Sequence, residues 1–184
     1  VSPALPAGLS LSSGSCSIAG TPTALQAQTI HTITASNTGG TTTANFTLTV
    51  NDQAPIIAFS PASVVGTKGS ALATQTPSST GGAITGCTVS PALPTGLSLN
   101  TSTCAVSGTA TAVSAQNTYT LTASNTGGTA SSTLDITIND VAPTIAFSPA
   151  SMIATSGTPI SVQTPTLGGG SVTSCSASPS LPAG

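Results

Sequence analysis

Residues 117–140 read NTYTLTASNTGGTASSTLDITIND, and this stretch decides the fold of the chain. In Tyr119–Ala123 the first, third and fifth residues are apolar and threonine fills the positions between them. Leu134–Ile138 alternates in the same way, as expected for strands with one buried face. Asn125–Gly128 lies between them and consists of residues that favour tight turns. The stretch therefore predicts an antiparallel hairpin whose apolar side faces a core.

The same sequence motifs recur along the chain at a fixed interval. TASNTGG begins at Thr34 and again at Thr122, and Cys16 recurs as Cys104. Both pairs are 88 residues apart, and the alignment needs no insertion or deletion. Such a period suits one small β-sandwich, which takes about 100 residues and seven strands. The fold class predicted is all-β, with tandem sandwiches of about seven strands each.

The boundaries between sandwiches follow from a recurring linker sequence. An alternating strand is followed by Asn-Asp-x-Ala-Pro at Asn51–Pro55 and again at Asn139–Pro143, and proline cannot continue a central ladder. We therefore expect residues 1–53 to be the C-terminal part of one sandwich, 54–140 a complete sandwich, and 141–184 the N-terminal part of another. The final residues repeat the first residues of the sequence, which predicts that the sequence is part of a longer array of repeats.

Other strands of the complete repeat are predicted from shorter apolar patterns. They lie around Ile57 and Phe59, over Leu72–Thr76, Ala83–Ser90 and Leu97–Leu99, and in a short stretch that ends at Gly108.

The cysteines predict a disulfide in each repeat. Cys87 and Cys104 are the partners available within residues 54–140, and they flank a single proline-rich loop. Cys16 and Cys175 would then pair with cysteines outside this sequence. A buried reduced pair and a metal site are the alternatives, although CxxC spacing and neighbouring histidines are missing. A disulfide implies an oxidising, extracellular or cell-surface location.

The scarcity of charge excludes several classes of function. Charged residues make up 2% of the chain and the formal net charge is −2, so there is no basic patch to bind nucleic acid or anionic lipid. No run approaches the ~20 apolar residues that a membrane-spanning helix needs. With one histidine, three acids and one lysine, the sequence predicts no enzyme activity and no cofactor.

Individual polar residues have mostly structural interpretations. His31 aligns with Tyr119 and is predicted to be a core residue with a polar tip. Lys68 aligns with Ser156, so an isopeptide bond cannot be a property of every repeat. Asp52 and Asp140 are weak calcium candidates at the linkers, because calcium takes six to eight oxygen ligands and each linker offers a single acid. A turn-forming Asn-Asp pair is the simpler interpretation.

Glycans are a further hypothesis. Asn45 and Asn100 begin Asn-x-Ser/Thr sequons, but neither aligns with a sequon in the neighbouring repeat, so chance occurrence is the alternative. Serine and threonine on outward strand faces are candidates for O-linked glycans, which would replace charge as the solubilising layer.

The complete repeat resembles a known family. GLSL, then C-x-V-x-G-T within Gly96–Thr109, and YTLTASNTGG at Tyr119–Gly128 are similar to the immunoglobulin-like, or cadherin-like, domains repeated in tandem in large bacterial surface proteins. The resemblance covers the whole chain and implies an extracellular bacterial stalk, adhesin or filament. The paired cysteines are not a fixed feature of that family.

Three hypotheses of function remain open. In the first, the sandwiches form a structural filament or stalk, strung end to end or self-associating, whose partners are copies of the chain or neighbouring repeats. In the second, the repeats are adhesin modules that bind a host glycan or protein, although aromatics make up 2% of the chain. In the third, the chain is a non-covalent filament subunit in which a neighbour's half domain completes each sandwich. The two flanking parts together exceed one period, so a continuous longer chain is the simpler hypothesis.

Overall fold

The computed structural model describes residues 1–182, and all regular structure in them is β-strand. The strands are β1 (Leu9–Leu11), β2 (Ile18–Gly20), β3 (Gln26–Asn37), β4 (Gly40–Val50), β5 (Pro55–Ala58), β6 (Ser63–Thr67), β7 (Ala71–Gln75), β8 (Ser78–Gly81), β9 (Gly86–Ser90), β10 (Leu97–Leu99), β11 (Val106–Thr109), β12 (Ser114–Asn125), β13 (Gly128–Asn139), β14 (Thr144–Ala146) and β15 (Thr166–Gly168). No helix in residues 1–182 is long and apolar enough to cross a membrane.

Strands β5 to β13 form one unit, which we call the central sandwich. One sheet has the order β6-β13-β12-β9 and the facing sheet the order β10-β11-β7, while β5 and β8 pair separately. The core between the sheets is apolar and includes Leu121, Leu134 and Ile136, all fully buried. This all-β sandwich confirms the predicted fold class.

The hairpin β12–β13 forms as residues 117–140 predict. Tyr119 pairs with Leu134, and the ladder continues to Asn125 opposite Gly128 at the turn. Tyr119, Leu121 and Ala123 are all buried. Their alternation with threonine therefore separates the core face of the sheet from its exposed face.

The central sandwich has two strands that the sequence did not predict. Ser63–Thr67 forms β6, which pairs in parallel with β13, and Ser78–Gly81 forms β8, which pairs with β5. Every residue of β8 is exposed, so it carries no apolar alternation to reveal it. The predicted strand at Ala83 begins later, at Gly86.

The flanking segments repeat parts of the central sandwich. We call residues 1–53 the N-terminal segment, in which β1 to β4 match β10 to β13 at an offset of 88. We call residues 141–182 the C-terminal segment, in which β14 and β15 match β5 and β8. Within residues 1–182, no backbone ladder joins the central sandwich to either segment.

Candidate functional site: the linkers and the cysteine bridge

The first linker, residues 51–54, joins β4 to β5 and is bound to the central sandwich. The Asp52 amide donates to Thr126 Oγ1 at 3.1 Å, and Asn125 Nδ2 donates to the Gln53 carbonyl oxygen at 2.6 Å. Thr126 and Asn125 both belong to the turn between β12 and β13. The linker therefore lies against the turn of the β12–β13 hairpin.

The Asn125 side chain hydrogen-bonds both to its own turn and to the linker. Its Oδ1 accepts hydrogen bonds from the amides of Gly127 and Gly128, at 2.8 and 3.2 Å, which closes the turn. Its Nδ2 remains available to donate to the Gln53 carbonyl oxygen. The sequence identified NTGG as a turn but not as the binding surface for a linker 72 residues away.

Two glycines allow the linker to approach so closely. A Cβ on Gly127 would collide with the Asp52 carbonyl oxygen, and a Cβ on Gly82 would collide with the Gln53 carbonyl oxygen. Neither residue has a left-handed φ, so the requirement for glycine here is one of space. The linker is held between the turn after β12 and the turn after β8.

The second linker, residues 140–143 between β13 and β14, repeats part of this arrangement. Gln53 donates its amide to Asp52 Oδ1 at 2.9 Å, and Val141 does the same to Asp140 Oδ1 at 2.9 Å. A Cβ on Gly170, the counterpart of Gly82, would collide with the Val141 carbonyl oxygen.

The calcium candidates Asp52 and Asp140 thus each cap their own linker. Among residues 1–182, no group of three or more histidine, cysteine or acidic side chains is placed to hold a metal ion. Calcium binding at the linkers stays an untested alternative to the turn-forming interpretation.

The turn at Asn37–Gly40 is the counterpart of Asn125–Gly128 and has an open groove beside it. The groove has a volume of about 370 Å³ and is lined by residues from Ala35 to Thr42. Among residues 1–182, a Cβ on Gly40 would have no other atom within 4 Å, and one on Gly39 would meet only the Asn37 side chain, at 3.2 Å. The N-terminal segment therefore keeps the glycines of a linker-binding turn.

A disulfide joins Cys87 on β9 to Cys104 before β11, the pair that the sequence singled out. The Cα atoms are 5.5 Å apart and both residues are buried. Cys104 has a φ of 58°, a conformation that few side chains adopt. Closing a loop of this size stabilises the fold by about 3 kcal/mol in the chain-entropy model. Cys16 and Cys175 are free thiols.

His31 is fully buried at the position of Tyr119. Its ring stacks on Phe46 with the centroids 5.3 Å apart. His31 Nδ1 lies 3.0 Å from the Pro3 carbonyl oxygen, and His31 Nε2 lies 2.9 Å from the side-chain nitrogen Nε2 of Gln26. A single tautomer satisfies both contacts, with Nδ1 donating and Nε2 accepting. The partners of His31 are thus those of a packed core residue.

The two sequons lie on the surface. Asn45 is exposed on β4, and its Oδ1 accepts a hydrogen bond from Thr32 at 2.8 Å. Asn100 is exposed in a loop, and its Oδ1 accepts from the amides of Ser102 and Thr103. Glycosylation of either residue stays a prediction.

Comparison with known proteins identifies a family. The model of the He_PIG family, described as "Putative Ig domain", matches residues 1–51 and 54–139. No curated protein matches the chain.

Several solved structures resemble the chain. Dscam1 isoform 1.9 (N-terminal four Ig domains) shares 14% identity over 74% of this chain and 33% of its own, with a TM-score of 0.41. The full ectodomain (Ig1 to Ig3) of mouse nectin-like molecule 4 shares 19% over 68% and 42%, with a TM-score of 0.36. An endo-fucoidan hydrolase of glycoside hydrolase family 107 shares 18% over 75% and 23%, with a TM-score of 0.34. The chain spans less than half of the length of each.

Proposed function

Since the chain belongs to the "Putative Ig domain" family, we propose that it is a structural repeat segment of an extracellular bacterial stalk or filament, in which sandwiches are strung end to end. The binding of the first linker to the β12–β13 turn carries this proposal. A module of this fold is of a structural or adhesive type, and the bound linker favours the structural one.

A stalk must transmit orientation from one domain to the next. The first linker has four residues between β4 and β5, and two of them bind the following sandwich through side chains of Asn125 and Thr126. Pro55 comes next and has a fixed φ. These contacts leave few free torsions, so we expect neighbouring sandwiches to hold a defined angle.

The linkers also emerge at opposite ends of the central sandwich. The first linker contacts the turn before β13, and the second follows the last residue of β13. A strand of twelve residues, as β13 is, has a length of roughly 36 Å at 3.3 Å per residue. Repetition of this unit would extend a fibre in one direction.

The surface is compatible with an extracellular, self-associating fibre. The central sandwich carries Lys68, Asp135 and little other charge, so like-charge repulsion between neighbouring fibres would be weak. The disulfide Cys87–Cys104 suits an oxidising compartment. Glycans on exposed serine and threonine would supply the hydration that charge does not.

Immunogold electron microscopy of native cells tests the proposal. An antibody against the 184-residue chain should label thin surface fibres along their length. Labelling confined to fibre tips would instead indicate the adhesin function, and labelling inside cells would contradict both.

A further inference from the structure

The central sandwich has an open sheet edge at β6. Its four-stranded sheet has the order β6-β13-β12-β9, so within residues 1–182 β6 has β13 on one side and no strand on the other. Strand β6 lies well inside residues 54–139, which match the family as one unit, and its neighbours along the chain, β5 and β7, are both present. The open edge is therefore a property of the folded unit itself.

The backbone groups of every second residue in β6 point into the open side. Ala62 accepts a hydrogen bond from the Asp135 amide at 2.8 Å, and the Lys68 amide donates to the Asn139 carbonyl oxygen at 2.9 Å, so the even-numbered residues bond to β13. Successive residues of a strand direct their backbone groups to opposite sides. The amides of residues 63, 65 and 67 therefore point away from the sheet.

The β6 edge has none of the usual protection against pairing. Natural proteins protect sheet edges with charges, prolines, bulges or very short strands. The five residues of β6 are uncharged, and their register with β13 runs without a shift. In the facing sheet, β7 has an irregular register with β11, and β10 has three residues. The remaining edge strand, β9, is uncharged and regular like β6. Strands β6 and β9 are thus the two edges open to pairing.

Val65 distinguishes the β6 edge from the β9 edge. It is 66% exposed, and among the four strands of this sheet, all within residues 1–182, it is the one large apolar side chain that is exposed. The residues exposed on β9 are Thr88 and Ser90. The residue that corresponds to Val65 in the next repeat is Ile153, again apolar and β-branched. A partner strand that placed its own Val65 opposite would cover this side chain.

The charges beside β6 are complementary to those of a second copy in the reverse orientation. Asp135 lies beside Ser63 at one end of β6, and Lys68 follows Thr67 at the other end, roughly 13 Å away at 3.3 Å per residue. When two antiparallel copies oppose their Val65 residues, Ser63 of each faces Thr67 of the other. Lys68 of one copy then lies two strand spacings from Asp135 of the other, roughly 10 Å between backbones. Their side chains can span this distance, so opposite charges meet at both ends of the pair.

We propose that β6 of one copy of this chain pairs with β6 of a second copy, antiparallel about a two-fold axis at Val65, so that the two four-stranded sheets join into one. The same surface is used on both copies, so the contact closes as a pair. One contact of five residues is small, but a stalk repeats it in each sandwich, and contacts between two stalks act together. The inference rests on the proposed stalk for this multivalency.

The pairing also sets the direction of the two stalks. Strand β6 is parallel to β13, which leads from the turn that binds the first linker to the start of the second linker. Two stalks joined through antiparallel β6 strands therefore run in opposite directions. Stalks anchored on one cell point the same way, so this pairing favours contact between stalks of facing cells.

Cysteine trapping tests the pairing and its register. In the 184-residue chain with Cys16→Ser and Cys175→Ser, mild oxidation of Val65→Cys by glutathione disulfide should give a dimer of twice 17.4 kDa on a non-reducing denaturing gel. Opposed residues of an antiparallel pair have Cα atoms about 5.5 Å apart, which a disulfide can span. Ser63→Cys and Thr67→Cys should each stay monomeric alone and should cross-link when mixed.

Thr88→Cys is the matched control on the β9 edge, and it should stay monomeric. Cross-linking of Thr88→Cys at the yield of Val65→Cys, cross-linking of Ser63→Cys with itself, or no dimer from Val65→Cys would overturn the proposal. None of these results touches the stalk, which immunogold labelling tests separately. Labelling inside cells would in turn remove the stalk and leave the pairing of isolated chains in place.

A proline variant separates the backbone contact from the side-chain contact. Val65→Pro removes the central amide of the open edge, and the ladder to β13 is kept because that amide points away from β13. The mixture of Ser63→Cys and Thr67→Cys should lose its cross-link with Val65→Pro and keep it with Val65→Thr. An undiminished cross-link with Val65→Pro would exclude strand pairing.

Charge reversal tests whether the partner is a second copy in this orientation. Lys68→Glu and Asp135→Lys should each lower the yield of the Val65→Cys dimer roughly fivefold, and the two changes together should restore it. Asp135→Lys takes the formal net charge from −2 to 0, so overall repulsion alone would instead make this variant dimerise better. Urea titration checks that each variant is folded. A higher yield with Asp135→Lys, or no recovery in the double variant, would contradict the proposed pairing.

Discussion

Gly127→Ala should release the first linker from the central sandwich. The added methyl group would collide with the Asp52 carbonyl oxygen and lie 2.7 Å from the Ala54 amide nitrogen, both backbone atoms that cannot rotate away. The linker must then give up its hydrogen bonds to Thr126 and Asn125. At about 1 kcal/mol for each bond, the binding of the linker weakens by about 2 kcal/mol. That corresponds to roughly a 30-fold change in the equilibrium.

Amide hydrogen exchange of Asp52, followed by NMR, measures this change directly. We expect exchange about 30-fold faster in Gly127→Ala than in the parent chain, with the amides of β12 still protected. NMR relaxation should also show the N-terminal segment tumbling more independently.

Gly39→Ala is the matched control for this prediction. The two glycines occupy equivalent turns and neither has a left-handed φ, but within residues 1–182 no linker lies against Gly39. The control should leave Asp52 exchange unchanged. Unchanged exchange in Gly127→Ala, or equal acceleration in both variants, would refute the idea that the turn holds the linker.

Three further predictions concern the stability of the central sandwich. Cys87→Ala with Cys104→Ala should lower the free energy of unfolding by about 3 kcal/mol, measured by urea titration; an unchanged midpoint would mean that the bridge contributes nothing. Leu134→Ala, at a fully buried position, should cost about 2 to 5 kcal/mol in the same titration, and a loss below about 1 kcal/mol would argue against a tightly packed core. Millimolar calcium should leave the melting temperature unchanged, because Asp52 and Asp140 each bond to the next backbone amide; a rise that chelation reverses would restore the calcium hypothesis.

The β12–β13 hairpin could be predicted because the residues that determine it are close together in the sequence. Tyr119–Ala123 and Leu134–Ile138 each alternate over five residues, and the turn between them has its own sequence signature. Strand β6 depends instead on parallel pairing with a strand about 70 residues later, and β8 exists only because β5 offers it a backbone ladder. Short strands whose partners are distant leave little trace in the sequence.

The candidate site, too, could be predicted only in part. The cysteine pair could be predicted because few thiols are present and two of them flank one loop. The role of Asn125 could not, because it depends on a contact with Gln53, a residue 72 positions earlier in the chain. Contacts over such a separation are a property of the folded structure and leave no local pattern in the sequence.

The parallel pairing of β6 with β13 has a mechanical consequence. Five residue pairs, from Ser63 opposite Asp135 to Thr67 opposite Asn139, connect these two strands. Tension applied through the two linkers would pull β6 toward one end of the sandwich and β13 toward the other. The ladder is then loaded in shear, so its hydrogen bonds must break together rather than one after another. The sandwich would resist stretching along the direction in which an array of such units carries a load.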